Sequence, residues 1–328
     1  MKKLLLILTV LLIICPKGYC EQAGDDTIAL LTKKGFFDTT VQTTSANPYI
    51  EVRKALCNHL RYANSYNLDG LKTLYADNYI NADGLSKDVY FDLIKKTWES
   101  YPDIKYTIEI KNLEINANNA VAQVVENAIA STNSKSGIIH ERGILQSTSS
   151  SVYYFEKINN KWIITSDHII SEQTYLKYGV ANDLKIDLIA PSQIPANTNY
   201  TASLDIEVPK DSLVIASIGK ENITYPQVLA EEVFRKLPDD GALERVFKSN
   251  DKNINEYAVA SFGITKAKII NQSELKIFVT GLGFAMSRVN VIPKNEFIKV
   301  AENEKPEKLE KLEKQEKQEK LEKNEKSN

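Results

Sequence analysis

NNKWIITSDHIISEQTYLKYG, residues 159–179, contains a tryptophan-led run in which apolar and polar side chains alternate. Such alternation predicts a β-strand over residues 162–170. Successive side chains of a strand point to opposite faces of its sheet. The two expected faces are Trp162, Ile164, Ser166 and His168 on one side, and Ile163, Thr165, Asp167 and Ile169 on the other. Asp167 and His168 are therefore not expected to line the same pocket.

The sequence before this strand predicts three helices followed by antiparallel strands. Apolar residues recur at three-to-four spacing over residues 49–63, 68–75 and 91–101, with Ser86 as a candidate N-cap for the third helix. The period then changes to two over residues 104–110, 121–125 and 138–158, with a turn at 116–119. Helices followed by a run of strands predict an α+β domain over residues 48–182, with the helices on one face of a curved antiparallel sheet.

The element order, the segment LYADNYINADG (residues 74–84) and the closing Lys161-Trp162 strand resemble the nuclear-transport-factor-two-like superfamily, in particular its SnoaL-like and ketosteroid-isomerase-like branch. The resemblance implies a cone, in which three helices close a strongly curved sheet around an apolar pocket. Members include isomerases, cyclases, dehydratases and non-enzymatic binding modules. The fold therefore leaves the function open.

Enzymes of this superfamily commonly use an aspartate or histidine at the pocket mouth, and Asp83 is the best positional match. A buried carboxylate acts as a general base once burial raises its pKa. The alternative is a turn at Asp83-Gly84, with Gly84 at positive φ. His140 and His168 are candidate hydrogen-bond donors on neighbouring strands, although a hydrogen-bonded structural histidine explains His168 more simply.

Aromatic side chains supply candidate pocket walls, although core packing explains them equally well. These pocket-lining candidates are Tyr62, Trp98, Tyr106 and Tyr153. His59 lies on the apolar stripe of the first helix and is expected in the core. No spacing of ligands predicts a metal site, and no nucleotide or hydrolase motif occurs, so neither metal nor cofactor is expected.

Residues 183–300 have a different pattern, with short alternating strands separated by Pro, Asn and Gly turns. This pattern predicts a β-sandwich, which resembles bacterial immunoglobulin-like domains. Residues 225–253 interrupt it with an expected helical insertion, whose helix spans residues 227–237. Because function concentrates in loops, the insertion is a candidate partner-binding element.

The N-terminal residues predict export. Residues 1–20 combine Lys2 and Lys3 with a short apolar run, as in a signal peptide; a retained N-terminal anchor is the alternative. A lipid anchor is disfavoured because Ile14 and Tyr19 precede the two early cysteines. Residues 21–47 read as a loosely ordered lead-in, and residues 301–328 as a low-complexity Glu-Lys-x tail.

The net charge of −2 over 328 residues disfavours a nucleic-acid binder. Two functional hypotheses follow. The first is an exported, non-catalytic binding protein, periplasmic, at the cell surface or secreted, that takes a small apolar ligand or an envelope protein. The second is a cofactor-free isomerase, cyclase or dehydratase using Asp83. Either is compatible with a homodimer through the cone sheet.

Overall fold

A computed structural model describes residues 47–271 and 274–294, without the side chains of residues 269, 271, 274 and 275. The predicted signal peptide, the lead-in up to residue 46 and the Glu-Lys-x tail lie outside the described residues. No helix within the described ranges is both long and apolar enough to cross a membrane.

Three helices come first among the described residues, as the sequence predicts. They are α1 (Pro48–Asn64), α2 (Leu68–Lys72) and α3 (Lys87–Ser100). Asn47 caps α1, because its side-chain oxygen accepts a hydrogen bond from the backbone N–H of Tyr49 at 3.0 Å. Pro48 occupies the first turn, where its missing N–H costs nothing. The apolar face of α1 is buried through Val52, Leu56 and Ala63.

Twelve strands are present among the described residues. They are β1 (Lys105–Asn116), β2 (Asn119–Lys135), β3 (Arg142–Ile158), β4 (Lys161–Gly179), β5 (Ile186–Ile189), β6 (Gln193–Pro195), β7 (Asn199–Ile206), β8 (Ser212–Asn222), β9 (Arg235–Lys236), β10 (Ala242–Lys248), β11 (Glu256–Asn271) and β12 (Glu274–Ile292). A short 3-10 helix, Val180–Asp183, follows β4. The helix-then-strand order expected for the first domain is confirmed.

One long sheet connects the two halves of the chain. Its strand order is β1-β2-β3-β4-β12-β11-β8-β9, with β6 pairing beside β12. The last strand of the predicted cone, β4, pairs antiparallel with β12, from Gly281 opposite Gly179 to Ser287 opposite Gln173. The cone sheet therefore continues without interruption into the strands of the second half.

The two faces of this sheet build two different cores. On the face that we call the cone face, Leu176 of β4 joins the aromatic and aliphatic cluster beneath the helices. On the opposite face, Tyr175 of β4 packs against a second cluster, which includes Ala285 of β12. A three-stranded sheet, β10-β7-β5, supplies Leu204 and Leu188 to this second cluster. Two sheets thus pack around the second core; their immunoglobulin-like classification stays a prediction.

The helix expected over residues 227–237 is not formed, and the prediction is wrong. Residues 227–234 form no regular secondary structure, and the short strand β9 follows them beside β8. The backbone N–H groups of Ala230 and Val233 donate to Glu221 Oε1 (2.8 Å) and Ser217 Oγ (2.9 Å). These β8 side chains replace the local hydrogen bonds that a helix would have made. We call residues 227–234 the strap.

Candidate functional site

The interior of the cone holds three buried carboxyl groups, each paired with a tyrosine hydroxyl. Tyr153 donates to Glu126 at 2.8 Å, Tyr79 donates to Asp167, and Tyr257 donates to Glu172 at 2.8 Å. Burial of polar groups is tolerated when such hydrogen bonds are made. Because Tyr257 belongs to β11, the second half of the chain contributes directly to this cluster.

Burial raises the pKa of all three carboxyl groups. Removal from water disfavours the charged form, which raises the pKa of Glu126 to about 8 and that of Asp167 to about 6. The pKa of Glu172 is raised for the same reason. Glu126 therefore keeps its proton at neutral pH, and the interior holds fewer charges than its composition suggests.

Two β-bulges explain why the sequence did not point to Asp167 and Glu172. Tyr154 pairs with Ser166 but Phe155 with Ile164, so Thr165 is an extra residue on β4. Ser150 pairs with Ser171 but Ser151 with Ile169, so Ile170 is a second one. Each extra residue reverses the inward and outward alternation.

The faces expected for residues 162–170 are therefore wrong beyond Ile164. The buried side chains of β4 are Trp162, Ile164, Asp167, Ile169, Glu172, Thr174, Leu176 and Tyr178. Asp167 and His168 do point to opposite faces, as expected, but Asp167 is the one in the interior. Glu126 gave no sequence signal beyond its place among alternating apolar residues on β2.

Asp83 lies in the expected turn, with Gly84 at a φ of +79°. Its side chain is nonetheless only 3% exposed, because it pairs with Arg288 Nη2 at 2.5 Å and accepts from Asn255 Nδ2 at 2.7 Å. Arg288 is on β12 and its side chain is fully buried. Asp83 therefore joins the first domain to the second half of the chain, through Arg288 on β12 and through Asn255.

The two candidate histidines do not join Asp83 in a shared cavity. His140 is exposed in the turn before β3, at a φ of +61°, because β3 begins at Arg142 rather than at residue 138. His168 is half-buried, and burial and the nearby Arg288 charge lower its pKa. His59 is a core histidine, as expected; its Nε2 lies 2.7 Å from Tyr75 Oη, and burial lowers its pKa to about 3.

The predicted pocket-lining aromatic residues are packed against other side chains. Trp98 Nε1 donates to the hydroxyl of the buried Tyr106 at 3.0 Å. Tyr62 packs at the edge of the cone core, and Tyr153 is fully inside it. Around Tyr75, the rings of Tyr79, Tyr90 and Phe91 lie with centroids 4.9–5.6 Å away. These rings fill the centre of the cone.

A groove of about 110 Å³ lies beside the cone, between β4 and the strap. Its floor is the cone face of β4, β12, β11 and β8; cross-strand neighbours such as Leu176 and Phe284 share that face. Its lining includes Leu176, Phe284, Met286, Val259, Leu229 and Glu221. Ser261 donates to Glu232 of the strap at 2.6 Å, so the strap is tied to two floor strands.

The described residues contain no cluster of His, Cys, Asp and Glu side chains that could hold a metal ion. The acids of the interior are instead engaged by tyrosines and by Arg288.

Comparisons with solved structures return proteins of the nuclear-transport-factor-two-like type. A superfamily member from Salmonella enterica is 16% identical, over 36% of this chain and 87% of that one, with a TM-score of 0.30. A putative scytalone dehydratase from Novosphingobium aromaticivorans is 11% identical, over 37% and 82%, with a TM-score of 0.32. The hexachlorocyclohexane dehydrochlorinase LinA-type3 from Novosphingobium barchaimii is 10% identical, over 37% and 86%, with a TM-score of 0.31.

Each of these structures matches little more than a third of the chain. Neither protein-family models nor curated proteins gave a match.

Replacing Arg288 with Met is expected to destabilise the protein by about 3–5 kcal/mol, because Asp83 is left buried without its cation. The double variant Asp83→Asn/Arg288→Met should lose less, since no buried charge remains. Urea denaturation measures both. The exposed pair Lys236–Asp239 is the control, where Lys236→Met should cost less than about 1 kcal/mol. Equal losses in the single and double variants would contradict the assignment.

Glu126→Gln is expected to flatten the pH dependence of stability between about pH 4.3, the unfolded pKa, and the folded pKa of about 8. A raised folded pKa means that the native state binds more protons in this range, so the contribution is complete at low pH and is lost as pH rises. The free energy of unfolding, measured by urea denaturation from pH 5 to 8, should fall less steeply than in the unaltered chain. Glu156→Gln, exposed on β3, should leave the slope unchanged.

Proposed function

We propose that the protein is an exported, non-catalytic binding protein. The observation that carries this proposal is the packed interior of the cone, where aromatic rings surround Tyr75. Within this interior, Glu126, Asp167 and Glu172 are each bonded to a tyrosine hydroxyl group. A reaction chamber needs its acid or base within reach of a substrate. Carboxyl groups that are enclosed and already hydrogen-bonded serve instead as internal structure.

The groove beside the strap is the binding site that this proposal uses. Its floor is apolar through Leu176, Val259 and Met286, and Phe284 at its edge remains substantially exposed. Binding sites are concave and mostly apolar, with a few polar groups at their margins. A small apolar ligand or an apolar side chain of an envelope protein matches this surface.

Export rests on the signal-like residues 1–20, and it is part of the proposal. A binding surface built from packed strands needs no cofactor, which agrees with the absence of a nucleotide motif in the sequence. The periplasm, the cell surface and the medium are all compatible with the remaining chain.

Phe284→Glu is expected to weaken the binding of the neutral apolar probe N-phenyl-1-naphthylamine by about tenfold or more, because the charge would be partly desolvated in the groove. Fluorescence titration of the purified chain measures the dissociation constant. The matched control is Val246→Glu, which places the same charge at an exposed apolar position on β10. The control should bind the probe as the unaltered chain does.

The proposal fails if the unaltered chain shows no saturable binding. It also fails if the two variants bind the probe equally well, because the groove would then not be the site.

An enzyme acting from the cone interior is the second candidate, favoured by the raised pKa of Asp167 (about 6) and Glu126 (about 8). Values near neutral pH suit proton transfer. Two observations argue against an enzyme. Asp167 already accepts a hydrogen bond from Tyr79, and Asp167 is not among the residues that line the groove.

The two candidates separate in a test of α-proton exchange of small enolisable ketones in D₂O, followed by NMR. The binding proposal expects no acceleration by the unaltered chain. Acceleration that is lost in Asp167→Asn but kept in Glu156→Gln would establish the enzyme instead.

A further inference from the structure

A two-stranded hairpin projects from the sheet beside the groove. Strand β8 pairs with β11 only as far as Lys266, and β4 pairs with β12 only from Gly281. Beyond these residues, β11 and β12 pair with each other alone within the described residues. We call residues 266–271 and 274–280 the hairpin. It exposes Ile270, Ile277, Phe278 and Val279, and Ile277 is 62% exposed.

One face of the hairpin concentrates positive charge. Lys268 lies directly opposite Lys276, and Lys266 lies opposite Phe278, so the three lysines share a face with an aromatic ring. Lys276 Nζ is 5.1 Å from the centroid of that ring. No ion pair of these lysines occurs within the described residues. Because like charges opposite one another repel, this face is suited to an acidic partner.

The strap and the groove offer the opposite charge on an equally apolar surface. The strap exposes Val228, Leu229, Val233 and Phe234, and Val228 is 74% exposed. Contiguous exposed apolar side chains of this kind mark interaction sites. Glu221, Glu231 and Glu232 line the groove, whereas no lysine or arginine of the described residues does. The surface therefore complements a segment that presents apolar and basic side chains together.

The hairpin does not line the groove of its own chain. Ser261 and Phe284 lie in the groove, and the same two strands carry the chain directly outward into the hairpin. The pairing of β11 with β12 shifts at this base, where Ile264 pairs with Gly281 but Thr265 pairs with Val279, and it resumes beyond the extra residue Thr280. The hairpin therefore continues both strands past the groove of its own chain, and the occupant considered for the groove is the hairpin of another copy.

We propose that the hairpin of one copy docks against the strap and groove of a second copy, with Lys266, Lys268 and Lys276 facing Glu231 and its neighbours. The contact joins two different surfaces, so it is head-to-tail and continues into rings or linear assemblies. The inference rests on the proposed role of the groove as a binding site and names its occupant.

The polarity of the contact can be tested with two variants of the purified chain. The hairpin variant is Lys268→Gln/Lys276→Gln/Phe278→Ser, and the strap variant is Val228→Ser/Glu231→Gln/Phe234→Ser. A control variant, Glu244→Gln/Val246→Ser, makes similar changes at exposed positions on β10. Circular dichroism and thermal unfolding confirm that each variant folds.

Sedimentation velocity over a wide concentration range should show that the unaltered chain and the control self-associate. Each of the other variants should associate about tenfold or more weakly, since a few central side chains carry most interface energy. An equimolar mixture of the hairpin and strap variants should form one-to-one complexes, because one intact hairpin meets one intact groove. Added NaCl should weaken all these contacts by screening the charges.

Several outcomes would overturn the inference. An unaltered chain that stays monomeric at every concentration would do so, as would a mixture that forms no complex. Self-association that survives in both variants would point instead to the cone sheet as the dimer surface.

Binding of the fluorescent probe tests the proposed function separately from self-association. The hairpin variant keeps its groove and should bind N-phenyl-1-naphthylamine like the unaltered chain at concentrations too low for self-association. Retained probe binding without self-association would therefore reject the inference alone. Equal probe binding by Phe284→Glu and Val246→Glu would reject the proposed function.

Discussion

The antiparallel pairing of β4 with β12 is the constraint on which the rest of the structure depends. Seven consecutive residue pairs join the last cone strand to a strand more than a hundred residues later in the chain. Because neighbouring side chains on β4 enter different cores, the pairing aligns the cluster beneath the helices with the second cluster. It also brings Arg288 to Asp83 and Tyr257 to Glu172, so the second half of the chain completes the polar interior of the first.

This arrangement changes what the cone is suited for. In a cone with an open pocket, buried carboxyl groups with raised pKa values would be candidate acids and bases. Here Glu126, Asp167 and Glu172 are each bonded to a tyrosine, and Arg288 neutralises Asp83 close by. The apolar surface that remains accessible lies next to the cone, under the strap. The hairpin extends from β11 and β12, which also form part of the groove floor. Each copy therefore carries both the groove and the hairpin proposed to occupy the groove of another copy.

Local patterns in the sequence predicted the local structure well. The three-to-four spacing of Val52, Leu56 and Ala63 identified a helix. The turn predicted at residues 116–119 is the turn that connects β1 to β2. The helix expected over residues 227–237 failed because Glu221 and Ser217 capture backbone N–H groups of the strap. The faces expected for β4 are wrong because Thr165 and Ile170 are extra residues in the strand. Each of them shifts the alternation of inward and outward side chains by one residue. Bulges depend on the partner strand, so a single strand's pattern does not reveal them.

The sequence by itself determined the element order of the first domain, the start of α3 after Ser86 and the turn at Gly84, because each depends on residues close together in the chain. Only the tertiary structure decided which carboxyl groups are buried, what neutralises Asp83 and where a groove forms. Asp83 and Arg288 are 205 residues apart, and the groove combines four strands with the strap. Such contacts are set by strand pairing and packing across the whole sheet, which no local periodicity records.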